Sequence, residues 1–159
     1  MVNHVDNLDA VSEYLHMLGK IHHQIGIEVF EVMMLGAYFV RASRPHYPPE
    51  MKRLRKYDDS WLHFFAVISS MMRSGFPALE VEFDLTPEEK RCVQKTIPVI
   101  LKEAETIGPK TIMKMFQTYP LSMVYFPSFR DKLVKEVSVD DEALVTHGKM
   151  FVKVGSIPR

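Results

Sequence analysis

The sequence predicts an all-α fold, and three observations carry that prediction. Apolar residues recur three and four positions apart along most of the chain, the spacing that covers one face of a helix. The run Leu85-Thr86-Pro87-Glu88-Glu89 is a helix-start signal, in which Thr86 can cap the first amides, Pro87 suits the first helical position and Glu89 can reach back to the cap. No two alternating runs face each other across a turn. The one alternating stretch, Val81 and Phe83 among acids, is too short to make a sheet.

Taken in order, Asn7 or Asp9 can cap a first helix over residues 10–24, and Gly26 breaks it. A second helix over 27–42 has a wide apolar face of Val29, Phe30, Met33, Met34, Ala37, Tyr38 and Val40. Pro45, Pro48 and Pro49 make the next stretch a loop, because proline at this density forbids helix and sheet alike. A third helix is expected from Pro49 to Arg73, with Trp61, Phe64, Phe65, Ile68 and Met72 on its inner side. Residues 75–84 read as a linker between the halves 1–74 and 85–159. The fourth helix, opened by Thr86, should be kinked or interrupted at Pro98. Gly108-Pro109 is expected to start a fifth helix through Ile112, Met115 and Phe116, and Tyr119-Pro120 a short sixth ending near Phe126. After a loop from Pro127, a last helix starts near Asp140 or Asp141 and carries Ala143, Leu144, His147, Phe151 and Val154 on one stripe.

Composition narrows the function classes. The 159 residues are enough for one domain with a sizeable core. Twenty basic residues balance twenty acidic ones, so no bulk attraction to nucleic acid or to an anionic membrane is expected. The cluster Lys52, Arg53, Arg55 and Lys56 is followed at once by Asp58 and Asp59 and reads as a solvated face. A single cysteine, Cys92, excludes an intrachain disulfide and, with no secretory signal in view, favours a reducing, cytoplasmic setting. The longest apolar stretch, residues 25–40, carries Glu28 and Glu31 and reads as a core helix rather than a membrane span.

The chemistry concentrates on two histidines. On a helix, His22 falls in line with Leu15, Leu18 and Ile25, while His16 and His23 point elsewhere. His147 sits on the apolar stripe of the last helix. An imidazole on such a stripe must find partners for its nitrogens. It is either a core histidine satisfied by a backbone carbonyl or a metal ligand facing a pocket. Gly108 and Gly148 lie inside helical patterns, where glycine costs about 1 kcal/mol against alanine, so a close helix crossing is expected there.

On these residues the sequence resembles the globin family, in two blocks of swapped order. Residues 85–157 look like the first globin half, helices A, B, C and E. Pro120 resembles the proline that starts helix C, and Phe126 the phenylalanine that stacks on haem. Phe129 resembles the second aromatic of the following corner. His147-Gly148 resembles the distal histidine and the crossing glycine, with Gly108 as its partner. Residues 2–74 look like helices F, G and H, with Leu18-Gly19-Lys20-Ile21-His22 similar to the proximal segment and Trp61 to a tryptophan early in helix H. The phrasing from Asp9 to Ile27 is similar to neuroglobin-like members.

The resemblance implies a single globin domain in circularly permuted order, natural or engineered. A slice of a tandem array, with halves exchanged between chains in a dimer, would look the same. It implies one haem b with iron on His22, and His147 either donating to bound dioxygen or ligating the iron. Leu18, Ile27, Ile112, Phe126, Phe129 and Phe151 would line the haem site. Reversible binding of dioxygen or another diatomic gas, as in oxygen transport, is the implied function. A bis-histidine redox or gas-sensing globin and a haem-free helical interaction domain are the alternatives. Three positions depart from common globin patterns. Phe151 should crowd the distal pocket, and Met150 removes a cation that could pair with a haem propionate. Ile112 leaves His147 as the distal donor, which argues against peroxidase-like enzyme chemistry.

Overall fold

The computed structural model describes residues 11–27, 29–73 and 84–153, and among them the regular structure is entirely helical. Seven α-helices follow in order: α1 Ser12–Gln24, α2 Val29–Ser43, α3 Pro49–Lys52, α4 Arg55–Met72, α5 Pro87–Lys102, α6 Ala104–Thr118 and α7 Glu142–Lys153. Short 3-10 turns occupy Arg44–His46, Pro120–Tyr125 and Val134–Glu136. The expected all-α class is observed. No helix among the described residues is long and apolar enough to cross a membrane. The expected caps at Asn7 and Asp9, most of the expected linker and Val154 lie outside the described residues.

Several boundaries differ from expectation, each for a local reason. α1 ends at Gln24, and the amide of Ile25 turns back onto the carbonyls of Ile21 and His22. Gly26 then adopts φ +85, a conformation that side chains other than glycine's resist. Ile25 is therefore 48% exposed and leaves the stripe that Leu15 and His22 share. The expected third helix is two, because Leu54 is extended (φ −109, ψ 107) and breaks the ladder between α3 and α4. α5 is not interrupted at Pro98, which sits on its exposed side, where water can serve the carbonyl deprived of its amide. The break falls instead at Glu103, so α6 begins four residues before Gly108 and holds both Gly108 and Pro109 inside it. The short sixth helix is a 3-10 turn rather than an α-helix.

The strongest local signals hold as expected. Thr86 Oγ1 accepts from the Glu89 amide at 3.3 Å, and Glu89 Oε2 accepts from the Thr86 amide at 2.8 Å, a complete capping box. Asp141 Oδ1 accepts from the Ala143 amide at 3.0 Å and caps α7.

The helices are joined by one aromatic core and by three glycine contacts. Trp61, on α4, is 2% exposed and donates its Nε1–H to Thr96 Oγ1 of α5 at 2.8 Å; Thr96 in turn donates to the Val93 carbonyl. Phe39, Phe64 and Phe65 pack round the indole, with ring centroids 4.9, 5.2 and 6.3 Å away. This core draws on both halves of the chain, from Leu15 and Trp61 to Val93 and Val152. Gly19 of α1 lies on the backbone of Met72 at the end of α4, and Gly36 of α2 lies under the Phe65 ring. α6 and α7 cross at Gly108 and Gly148, as expected. A Cβ added to Gly148 would fall 2.6 Å from the Gly108 carbonyl carbon, where only backbone could yield.

Gly148→Val should therefore lower stability by about 3 kcal/mol or more through overpacking at the crossing. Thermal melts of the purified protein measure this; an unchanged melting temperature would mean the crossing is loose.

Candidate functional site

The crossing of α6 and α7 and the docking of α1 leave a cavity of about 260 Å³ between the two halves of the chain. α1 supplies Tyr14, Leu18 and His22, which are successive fourth residues and so share one helix face. The turn at Gly26 delivers Ile27, and α2 then adds Glu31, Val32 and Leu35. α4 closes one side with Phe65, Ile68 and Met72. The opposite half contributes Ile112 and Met115 from α6, Ser122, Tyr125 and Phe126 from the following turn, and His147, Met150 and Phe151 from α7.

His22 stands at the centre of the first wall. Its Nδ1 lies 2.7 Å from the Leu18 carbonyl, one turn back. A carbonyl only accepts, so Nδ1 carries the proton and Nε2, across the ring, keeps its lone pair. The expectation that one nitrogen is held by a carbonyl is met. Because the ring also lines the cavity, the core-histidine and ligand readings are compatible for this residue. His147 belongs to the other wall. Its ring meets Phe126 edge-on, with centroids 4.9 Å apart and planes at 67°. Burial by the apolar walls, and then repulsion from His22 whenever that ring is protonated, hold the His147 imidazole below its ordinary pKa and favour its neutral form. Neutral imidazole is the state that can ligate a metal or donate a single N–H.

Around this pair, Phe126 also packs edge-on to the buried Phe116, at 5.0 Å. Phe129 does not line the cavity: it is 1% exposed and sits behind Phe116, at 5.6 Å, as support for that wall. Phe151 lines the cavity from α7 while stacking on Phe65 at 6.1 Å, so its bulk is shared between site and core. Ile112 is buried in the lining, and Met150 is half in solvent. Leu18 and Ile27 are also in the lining. Cys92 is buried in the core away from the cavity. His46 faces Glu103 at 3.4 Å and His63 faces Glu89 at 2.8 Å, both away from the lining. His16 and His23 are exposed.

Sequence reasoning missed Tyr14, Glu31, Tyr125 and Ser122. Tyr14 was available from its helical spacing to Leu18 and His22. Tyr125 was not, because what places it is a hydrogen bond from its hydroxyl to the Gly26 carbonyl at 2.9 Å, a contact between distant parts of the chain.

Among the described residues no three of His, Cys, Asp and Glu gather as a cage for a bare ion. His22 and His147 nevertheless line the same cavity. The chain is 34% identical over 68 residues to the haemoglobin subunit alpha-D of Turdus merula. The likeness is to one part of a haemoglobin chain. The matching subunit of Chelonoidis carbonarius is 32% identical over 68 residues, and the haemoglobin D subunit alpha of Aldabrachelys gigantea 31% over 68 residues. Each match covers 43% of this chain, which thus spans 44% of the length of the relatives it matches. No family model and no solved structure matches.

The depressed basicity of His147 has a consequence for stability. Between its folded value and the ordinary one near 6.5, the unfolded chain binds more protons than the folded one, so stability rises with pH through that window. The contribution is complete above the ordinary value and is lost as pH falls through the window. The ligand-free protein should show a lower urea midpoint at pH 5.5 than at pH 7.5, and His147→Leu should reduce that difference. An equal pH response in the variant would place the titrating group elsewhere.

Proposed function

We propose that the chain is a haem-binding globin that holds one haem b through His22 and reversibly binds dioxygen or another diatomic gas. The observation that carries the reading is the state of His22: its Nδ1–H is fixed on the Leu18 carbonyl while the ring lines an apolar cavity with His147 on the far wall. The likeness to haemoglobin alpha-D chains supports the same reading.

The residues fit that group. The Leu18 carbonyl orients the His22 ring and increases the basicity of the nitrogen that would meet the iron. Phe126, edge-on to His147, limits the tilt of that imidazole and adds aromatic surface to the lining. Haem, when bound, supplies a ferrous iron that takes a small gas molecule reversibly. His147 would then serve as a hydrogen-bond donor beside Ile112, Phe126 and Phe151, whose apolar surface excludes water. A second reading has both histidines on the iron, as in a redox or sensing globin. It is favoured by the presence of both imidazoles in the lining of one cavity.

His22→Ala should abolish the Soret band of the reconstituted protein, and acid–butanone should extract the haem, since no Cys-x-x-Cys-His is present for covalent attachment. A wild-type spectrum in the variant would sink the assignment. His147→Leu separates the two readings. If His147 ligates, the ferrous spectrum changes from six- to five-coordinate and carbon monoxide binds faster. If it only donates, the variant mainly autoxidises faster.

The chain order is read as a circular permutation of one globin domain, with helices F, G and H before A, B, C and E. Two observations support it. A complete capping box, typical of a domain start, stands in mid-chain at Thr86. The Trp61–Thr96 hydrogen bond and the shared core pack the two blocks as one body. A re-ordered chain, residues 85–157 followed by 2–74, should fold as a monomer with the same haem ligands and a higher melting temperature. Failure of that chain to take up haem would overturn the permutation. Haem uptake by the present chain only as a dimer would point to exchange of halves between chains.

A further inference from the structure

α1 ends two residues after His22, and the turn that follows closes back onto His22 itself. The Ile25 and Ile27 amides donate to the His22 carbonyl at 3.2 and 2.9 Å, and the Gly26 amide donates to the His23 carbonyl at 2.9 Å. These bonds satisfy carbonyls that a helix end leaves without intrahelical partners. The Gly26 carbonyl is served from the other half of the chain. Tyr125 donates its hydroxyl to that carbonyl at 2.9 Å, across 99 residues of sequence. A Cβ on Gly26 would lie 3.6 Å from Tyr125 Cε1, so the ring also rests against the turn.

Tyr125 belongs to the wall that holds His147. It is half-buried in the cavity lining, and its neighbour Phe126 meets the His147 ring edge-on at 4.9 Å. The hydroxyl bond therefore runs from the wall of one histidine to the wall of the other. On the far side of His22, Gly19 lies against the Met72 backbone at the end of α4. His22 thus stands between two anchored points of α1 and its turn, three residues after Gly19 and four before Gly26. A group held from both sides keeps its place only while both anchors hold. Because the His22 carbonyl carries two bonds of the turn, a turn that swings away takes the end of α1 with it. Openings of this local kind are the route by which an enclosed occupant leaves.

We propose that Tyr125 is a positioning residue of this site: its hydroxyl ties the turn after His22 to the His147 wall and thereby slows the escape of the cavity's occupant. The inference rests on the haem-binding reading above for what that occupant is. Tyr125 acts through the Gly26 turn and its bonds to His22, not by touching the iron. The bond is neutral and near solvent, so it contributes to retention without being required for folding.

The test uses Tyr125→Phe in the full chain, a change that keeps the ring and removes the donor. In the ligand-free protein, hydrogen exchange followed by NMR should quicken about two- to tenfold at the Gly26 and Ile27 amides, the range that one neutral hydrogen bond spans. Amides of α4 around Trp61 should exchange as in the wild type. In the ferric haem-loaded protein, transfer of haem to excess apomyoglobin, read by the Soret band, should quicken by a similar factor. Thr86→Ala is the control, because it removes the cap of α5 outside the cavity lining and should change neither rate. Unchanged rates in either measurement with Tyr125→Phe, or an equal response to Thr86→Ala, would overturn the inference while leaving the haem reading intact. If the wild type forms no His22-dependent Soret band, the haem reading falls and the claim on retention falls with it.

Discussion

The contact between Gly108 and Gly148 is the constraint on which the rest of the site depends. With no Cβ on either residue, α6 and α7 touch backbone to backbone. That closeness fixes what lies a turn away on each helix. Ile112 stands one turn beyond Gly108, His147 immediately precedes Gly148, and Phe151 follows His147 by one turn; all three line the cavity. A wider crossing would carry His147 away from the wall that holds His22. The other two glycine contacts work in the same sense. Gly19 lets α1 settle on the end of α4, which brings Leu18 and His22 beside Ile68 and Met72. Gly36 lets α2 lie against Phe65. A small residue at a contact thus does more to shape the cavity than the large ones that line it.

The two histidines are alike in sequence setting but not in physical state. His22 has a fixed tautomer, because a carbonyl in its own helix accepts a hydrogen bond from Nδ1–H. His147 is held by packing against Phe126 and by the loss of water around it. One ring is oriented by a hydrogen bond and the other by an aromatic edge. One wall thus presents an imidazole of fixed tautomer and the other an imidazole oriented by packing alone.

Much of this was legible in the residues. The capping box at Thr86 and the apolar periodicities are local signals, and local signals specify helices well. His22, His147 and the glycine crossing were legible because helical spacing and the interior glycines mark them. Boundaries that depend on tertiary support were not. Pro98 does not break α5, since its side of the helix faces water, and Leu54 breaks the expected long helix without any proline. Phe129 and Tyr125 show the same limit from two sides. Both are aromatic and near Phe126, yet one is packed behind Phe116 while the other is pinned to Gly26 at the cavity. Only long-range contacts decide between such roles, and one chain's sequence does not state them.

The cavity walls come from both halves of the chain, with His22 and Leu18 on one side and Ile112 and His147 on the other. Such a space exists only in the folded protein, so whatever fills it acts as an internal clamp. By mass action, an occupant present at a hundred times its dissociation constant adds about 2.7 kcal/mol to the folding free energy. That gain is shared by every helix that contributes to a wall, including α1, which the structure otherwise holds mainly against α4. The empty chain is then the form in which α1 opens most readily and the form a protease cuts first. Occupancy of the cavity and lifetime of the protein are coupled through this one shared surface.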